Sequence, residues 1–287
     1  MKVVLYTTIA LLAFAGNSIL CRLALGENAI DAASFTAIRL FSGIIVLAAI
    51  MTTTQAGNIV ASRGSWKASF MLFLYAVTFS YAYVSLETGV GALILFGSVQ
   101  ITIILVGLVS GNKLHYFEWL GVIVAFSGFV YLVMPGVTAP SLMGFILMSL
   151  AGIAWGFYTL AGKGSVNPLR DTSFNFLRTL PFVIGLVAIT IQRSSLSQEG
   201  ILLAVLSGGI ASGLGYTIWY TALGGLSAIQ AAVVQLLVPV IASVGGIVFL
   251  DEIFSFRLAL SSIMILSGIL AVMLGRYYSV QKVSDKT

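Results

Sequence analysis

The side chains best suited to chemistry are polar and aromatic groups near the middle of long apolar stretches. Tyr and Trp offer flat apolar faces with one hydrogen-bonding group, which suits a planar ring. Asn and Gln can bind a carboxylate or an amine without a fixed charge. The sequence predicts a small-molecule site lined by Asn17, Tyr75, Thr78, Tyr81, Ser98, Gln100, Trp155, Tyr158, Ser212, Tyr216, Trp219 and Gln235. The alternative for Tyr and Trp is a belt at the membrane interface.

Charged groups are scarce at the same depth, because no Asp or Glu lies near the middle of an apolar stretch. A charge at the bilayer centre costs about 3 kcal/mol or more. A pocket without a carboxylate suits neutral or zwitterionic organic molecules better than bare cations. The sequence therefore predicts an uncharged chamber.

Arg39, Arg178 and Pro239 are candidates for gating. Arg39 and Arg178 lie within the first turns of two predicted helices, where they either snorkel to the headgroups or hold a gate closed, and Lys163 has the same alternatives. Pro239 removes a backbone hydrogen bond inside another predicted helix and should bend it, as a hinge or as a static kink.

Composition identifies the solvent of this chain as a bilayer. Of 287 residues, 59% are hydrophobic and 8% charged, and the mean hydropathy is +1.09, whereas soluble domains carry about 25% charged residues. The net charge of +5 could indicate nucleic-acid binding. The Lys and Arg residues, however, lie between apolar runs and form no patch, so nucleic acid is excluded as a partner.

The sequence does not favour an enzyme. A single cysteine, Cys21, and a single histidine, His115, give neither a disulfide nor a metal-ligand pattern. No phosphate-binding loop is present, and we expect no cofactor. A membrane enzyme or structural subunit remains the alternative class, but it would need a buried catalytic set or a large extramembrane domain, and neither is visible.

About ten apolar segments are long enough to span a bilayer: 3–25, 33–53, 67–87, 91–111, 116–134, 142–162, 172–191, 200–221, 228–249 and 256–275. The first resembles a signal peptide, but its apolar pattern continues to Leu25, so we expect an uncleaved helix. Alternating the spans places ten of the 14 Lys and Arg residues on the side of the N-terminus. That asymmetry predicts cytoplasmic termini.

The two halves of the chain echo each other. Phe35 to Arg39 aligns with Phe174 to Arg178, and Tyr83 with Tyr220, at a nearly constant offset. We expect two five-helix units, residues 1–138 and 139–287. Because five is odd, the second unit would enter the membrane from the opposite face, giving an all-α protein with ten transmembrane helices as a 5+5 inverted repeat.

These features resemble the drug/metabolite transporter superfamily, in particular its EamA-type ten-helix branch. The resemblance rests on Trp155-Gly with Tyr158 and Lys163, on Arg178, and on Leu250-Asp-Glu252 before the last helix. The first copy departs from it, with Asn112-Lys113 in place of Asp251-Glu252.

Within the superfamily the chain looks most like the YddG-type aromatic amino-acid exporters. The resemblance implies a multi-pass inner-membrane carrier that exports aromatic or hydrophobic amino acids by alternating access, with membrane lipid as a partner. A carrier of another organic solute, such as a drug or a nucleotide sugar, is the alternative. The oligomeric state and proton coupling stay open, and a homo-oligomer is compatible with the sequence.

Overall fold

The structure is a computed structural model that describes residues 2–53, 63–111, 114–136, 139–162, 165–226 and 228–284. These residues are helical almost throughout, and no β-strand is found among them beyond one isolated bridge between Ile30 and Leu196. The first six helices are α1 Lys2–Gly26, α2 Ala32–Thr53, α3 Trp66–Tyr83, α4 Thr88–Val109, α5 Tyr116–Val133 and α6 Leu142–Ala161.

The second half is more broken. Its helices are α7 Pro168–Leu177, α8 Leu180–Thr190, α9 Gln198–Val205, α10 Gly215–Leu223, α11 Ala228–Gln235, α12 Leu237–Leu250 and α13 Phe256–Ser284. A three-residue 3₁₀ turn, Ile191–Arg193, follows α8. A π-helical segment, Leu206–Leu214, joins α9 to α10.

Nine helical segments in the described part of the chain are long and apolar enough to cross a membrane. They correspond to nine of the ten predicted spans, with α7–α8, α9–α10 and α11–α12 each forming one crossing. The tenth predicted span is α3, which is helical but carries Lys67 and a tyrosine-rich C-terminal half. Those polar groups lower its hydropathy below that of the other nine.

Polar side chains at the helix ends set several of the boundaries. The hydroxyls of Ser65, Ser141 and Ser197 accept hydrogen bonds from backbone N–H groups in the first turns of α3, α6 and α9. Asn167 caps α7 in the same way, ahead of Pro168. Such caps satisfy N–H groups that have no partner inside a helix.

Two of the predicted straight spans are interrupted near a proline. Pro181 lies in the first turn of α8, just after the break at Arg178 and Thr179. Pro239 lies in the first turn of α12, just after the break at Leu236. Proline cannot donate to the carbonyl four residues earlier, so the helix is interrupted there. The helix break near Pro239 therefore lies at Leu236, three residues before the proline.

The crossings associate into two bundles that mix the two halves of the sequence. Helix α6 packs against α3 and α4, while α1 packs against α10, α12 and the π segment. We call α3, α4 and α6 bundle A, and α1, α9–π–α10 and α11–α12 bundle B. The crossing α2 packs on both bundles, and α7 also contacts both.

Helices α5 and α13 form the most extensive helix pair of the described chain. Gly121 and Gly268 lie at their contact, where a Cβ on either glycine would come within 2.5 Å of the backbone oxygen of the other. Small residues allow such close backbone approach, which drives helix association in lipid. This pair contacts the rest of the molecule through α4 and α11.

Candidate functional site

A small cavity lies between bundles A and B. Each bundle contributes half of its lining: Tyr75, Phe79, Leu95, Phe96 and Trp155 from bundle A, and Phe14, Asn17, Ser18, Ala211 and Tyr216 from bundle B. Any relative movement of the bundles would therefore change the size of this cavity.

Trp155 is the centre of an aromatic network in the cavity wall. Its ring centroid lies 4.8 Å from that of Tyr75, 5.2 Å from Tyr216 and 5.3 Å from Tyr158. The network continues from Tyr75 to Phe79 at 5.3 Å. These separations are typical of favourable ring pairs. The wall offers stacking surface to an aromatic or apolar body.

Hydrogen-bonding groups lie at the edge of this wall. Asn17 is buried, and its Oδ1 accepts a 2.6 Å hydrogen bond from the hydroxyl of Ser207 in the π segment. Arg39 is 2% exposed, and its Nη2 donates to the hydroxyl of Tyr75 at 3.0 Å. Its guanidinium carbon lies 5.2 Å from the Tyr75 ring centroid and 4.9 Å from that of Phe79.

The environment of Arg39 differs from the snorkelling alternative. It is the eighth residue of α2, and it is fully enclosed by protein rather than extended to headgroups. The ten lining residues of the cavity carry no charge, but the Arg39 guanidinium lies against the rings of two of them, Tyr75 and Phe79. Sequence alone did not reveal this, because the face that α2 turns to the bundle depends on its packing.

The twelve predicted lining residues divide into three groups. Asn17, Tyr75, Trp155 and Tyr216 line the cavity. Tyr158 and Trp219 extend the aromatic network, with Trp219 5.7 Å from Phe14, and Ser212 is buried beside the lining residue Ala211. The cavity lining does not include Thr78, Tyr81, Ser98, Gln100 or Gln235.

Each residue of this last group has another environment. Thr78 donates to the carbonyl of Leu74 in its own helix, and Gln235 donates to that of Ala231. Tyr81 is 38% exposed. Ser98 packs against Gly152 at the contact of α4 and α6. Gln100 is buried.

The remaining gating candidates lie away from the cavity. Arg178 follows the last residue of α7, where its guanidinium donates to the backbone oxygen of Arg63 and lies 5.7 Å from the ring of Trp66. It thus ties the seventh crossing to the segment before α3. Pro239 is buried in α12. Lys163 lies outside the described residues. So do Asn112 and Lys113, which stand in the first half where the second half has Asp251 and Glu252.

Sequence reasoning missed the apolar part of the lining, which comprises Phe14, Phe79, Leu95, Phe96 and Ala211, and the hydroxyl of Ser18. Phenylalanine is common in lipid-facing positions as well, so its type alone carried no signal. The spacing of Tyr75, Phe79 and Tyr83, four residues apart on one face of α3, could have identified that aromatic stripe.

The cavity is nearly closed in this structure. Its free volume of about 20 Å³ holds roughly one water molecule. An aromatic solute cannot enter until the rings of bundles A and B separate. The roomy chamber expected from the sequence is therefore absent from this state, although aromatic residues from both bundles meet where it was expected.

A polar cluster joins the bundles on the face that carries Asp251 and Glu252. The Glu252 carboxylate accepts hydrogen bonds from the backbone N–H of Thr88 at 2.8 and 2.9 Å and from its hydroxyl at 3.0 Å. Arg22 lies 3.6 Å from the same carboxylate and donates to the carbonyls of Tyr83 and Val84. We call Arg22, Thr88 and Glu252 the Glu252 latch.

Glu87 lies beside this latch, just before α4. Burial raises the pKa of the Glu87 carboxyl, and the neighbouring Glu252 raises it further, while Arg22 opposes both. Two carboxylates near one guanidinium make this end of the interface the most strongly charged contact between the bundles within the described chain.

A larger cleft has a different character. It has a volume of about 650 Å³, lies between α2, α8, α9 and the π segment, and is lined by apolar side chains such as Phe41, Val183 and Ile184 together with Ser42 and Gly209. It offers almost no polar group to orient a solute. Its chemistry suits the lipid environment rather than specific recognition.

Together, the apolar crossings and the small site enclosed between two helix bundles define a multi-pass helical membrane protein. The EamA-like transporter family model matches residues 142–274. An uncharacterised protein of Pseudomonas aeruginosa is 48% identical over 96% of both chains. The second half of the chain thus matches the EamA-like transporter family.

More distant relatives are named as transporters. A probable amino-acid metabolite efflux pump of Escherichia coli strain K12 is 24% identical over 69% of this chain and 75% of its own length. An uncharacterised transporter of Archaeoglobus fulgidus is 26% identical over 75% of this chain and 81% of its own. A protein of known crystal structure shares the fold, with a TM-score of 0.66 and 16% identity over 94% of this chain and 97% of that one.

Proposed function

We propose that this chain is a secondary carrier that exports aromatic or other hydrophobic amino acids and related small metabolites. The observation that carries the proposal is the aromatic wall around Trp155, built from both bundles at the centre of the molecule. The name of the Escherichia coli relative, a probable amino-acid metabolite efflux pump, agrees with this substrate class.

The proposed mechanism is alternating access by movement of bundle A against bundle B. The closed cavity must widen for a solute to bind, and the Glu252 latch must open for the solute to leave on that face. The sequence offers no nucleotide-binding loop, so we propose that solute gradients drive the movement.

We further propose that the fold is a 5+5 inverted repeat of residues 1–138 and 139–287. Helix pairing supports this arrangement: α3 and α4 pack on α6 as α10 and α12 pack on α1. The pairs α4–α12 and α5–α13 would then be the contacts between equivalent helices. The charge asymmetry of the loops supports an inner-membrane location with both termini in the cytoplasm.

A flux assay in proteoliposomes tests the substrate class. We expect radiolabelled L-phenylalanine and L-tryptophan to leave vesicles that contain the protein faster than protein-free vesicles. A nucleotide sugar and a cationic drug should not move. Transport of one of those two solutes, with no movement of either amino acid, would overturn the proposal and leave the family assignment intact.

A further inference from the structure

Arg39 is a buried cation without a carboxylate partner in the described chain. The single ion pair found there joins Arg22 and Glu252. The polar contact of Arg39 is the hydrogen bond from Nη2 to Tyr75, and its Nη1 is buried with no hydrogen-bond partner among the described residues. Stacking on Tyr75 and Phe79 compensates part of its lost hydration.

Such an arrangement is costly for the protein alone. A buried cation is tolerated in a membrane when it is paired or when it serves a function. A hydrogen-bonding nitrogen left without an acceptor adds a further desolvation cost. Full compensation of Arg39 therefore needs an acceptor that the described part of the chain does not supply, and an anion would supply both the acceptor and the opposite charge.

The surroundings of Arg39 place that anion next to the cavity. Tyr75 belongs to both sites, since its ring lines the cavity and its hydroxyl accepts from Arg39. Phe79 also lines the cavity while contacting the guanidinium. When the cavity widens, movement of Tyr75 frees Nη2 beside the already unpartnered Nη1.

We infer that Arg39 binds the carboxylate of the transported solute as a bidentate partner. This rests on the proposed function for the location of the site, and it adds the substrate class: a carboxylate joined to an apolar or aromatic body. Two parallel N–H groups of a guanidinium match the two oxygens of a carboxylate. Amines and amides of the same shape lack that anion.

The backbone of α2 holds Arg39 at this position. The π segment approaches α2 so closely that a Cβ on Gly208 would collide with the backbone oxygen of Arg39. The hydroxyl of Ser42 donates to the same oxygen at 3.1 Å. Arg39 therefore contacts bundle B with its backbone and bundle A with its guanidinium. An anion bound to the guanidinium would interact with a residue that both bundles contact.

The test compares carboxylates with an analogue that lacks the carboxylate, in purified protein reconstituted in nanodiscs. The probes are L-tryptophan, tryptophanamide, indole-3-propionate and benzoate, and the readout is the ratio of binding constants for acid and amide. We expect the wild type to bind L-tryptophan about tenfold or more tightly than tryptophanamide, the range of one charge-assisted bidentate contact. Arg39→Gln should abolish the ratio, and Arg39→Lys should restore part of it.

Arg193→Gln is the matched control, because Arg193 is exposed in the 3₁₀ turn after α8. It should leave the ratio unchanged. A purely structural role for Arg39 would lower the melting temperature of Arg39→Gln and weaken acid and amide equally, which would overturn the inference. A panel in which no carboxylate binds the wild type more tightly than it binds Arg39→Gln would also overturn it.

The outcomes separate this inference from the proposed function. Binding of indole-3-propionate but not of L-tryptophan, lost in Arg39→Gln, supports the carboxylate site and removes the amino-acid proposal. Transport of L-tryptophan with no discrimination against the amide supports the amino-acid proposal and overturns the role of Arg39.

Discussion

Trp155 contacts three rings of the aromatic network, those of Tyr75, Tyr158 and Tyr216, at 4.8 to 5.3 Å. An aromatic pair contributes about 0.5–1.5 kcal/mol beyond area burial. A solute ring that takes up such a contact in the opened cavity would depend on this indole. Trp155 should therefore contribute to the selectivity for aromatic solutes that is proposed for the carrier.

We expect Trp155→Ala to lower the transport of L-tryptophan about tenfold, because at least one ring contact with the solute is lost. Trp155→Phe should retain most of it. Trp119→Ala is the control, since Trp119 is 48% exposed on α5. Initial rates in proteoliposomes measure the effect, and equal rates for Trp155→Ala and Trp119→Ala would contradict the assignment.

Asp31 illustrates a different residue-scale effect at the start of α2. Burial alone would raise the pKa of its carboxyl, but hydrogen bonds from Ser34, Ser195 and Ala33 outweigh burial and hold the pKa below 3.8. The Ser195 N–H donates to it at 3.0 Å across two loops. A carboxyl with a lowered pKa stabilises the fold above its unfolded pKa and loses this effect as the pH falls through the folded value.

Asp31→Ala should therefore lower the melting temperature at pH 7, by the equivalent of about 0.5–2 kcal/mol for a lost helix cap. The difference from the wild type should shrink as the pH falls below 3.8, where Asp31 itself becomes protonated. Thermal unfolding of both proteins in detergent, at pH 7 and at a pH below 3.8, measures this difference in melting temperature. A difference that does not change with pH would mean that the charge of Asp31 is unimportant.

Of the predicted lining residues that carry both a ring and a polar group, Tyr75, Trp155 and Tyr216 line the cavity, whereas Tyr81, Tyr158 and Trp219 do not. The burial of Arg39 was not predicted, because hydropathy does not say which face of a helix is turned inward. Tyr81 shows the same limit, since its helix was predicted while its exposed orientation was not.

At the scale of elements, the π segment has the greatest consequences. It contains Gly208, Gly209 and Gly213, and it lies where α2 crosses the eighth span. Wider π turns inside α-helices often occur at functional sites. Here the segment carries Ser207, which holds Asn17, and Ala211, which lines the cavity.

Gly208→Ala should destabilise the protein, because the added Cβ would collide with the backbone oxygen of Arg39. Overpacking of this kind costs about 1–3 kcal/mol. Gly185→Ala is the control: nothing lies within 4 Å of its added Cβ in α8, so its melting temperature should stay level or rise. Equal melting temperatures for the two variants would contradict the close crossing.

Sequence located the long apolar runs that form the helices, but of their interruptions it pointed only to the one near Pro239. The break after α7 lies next to Pro181, a residue that was not considered. The π segment had no evident signal, because glycine-rich helices are common in membranes. Only the close approach of α2 explains why the glycines are needed at that point.

On the scale of the molecule, the two bundles do not coincide with the two halves of the sequence. Helix α1 from the first half belongs to bundle B, and α6 from the second half to bundle A. Helix packing thus joins helices from the two halves of the sequence, and comparison of the halves alone does not reveal those partners.

The Glu252 latch should control opening between these bundles. We expect Glu252→Gln to increase labelling of Cys21 by N-ethylmaleimide about tenfold, because hydrogen bonds to charged groups contribute about 1.5–3 kcal/mol. Cys21 is the single cysteine of the chain and is fully buried. The control is Glu199→Gln, because Glu199 is an exposed carboxylate of α9; this variant should leave labelling of Cys21 slow. Equally fast labelling in both variants would show that the latch does not hold the bundles together.

The exchange of α1 and α6 between bundles also determines how this protein can be made. During synthesis, α1 enters the bilayer long before its neighbours α9, α10 and α12 have left the ribosome, so it must wait among lipids with polar Asn17 unpaired. A fragment that ends after the fifth crossing could not complete either bundle. Assembly therefore follows insertion of nearly the whole chain, and truncated products should be targets of membrane quality control.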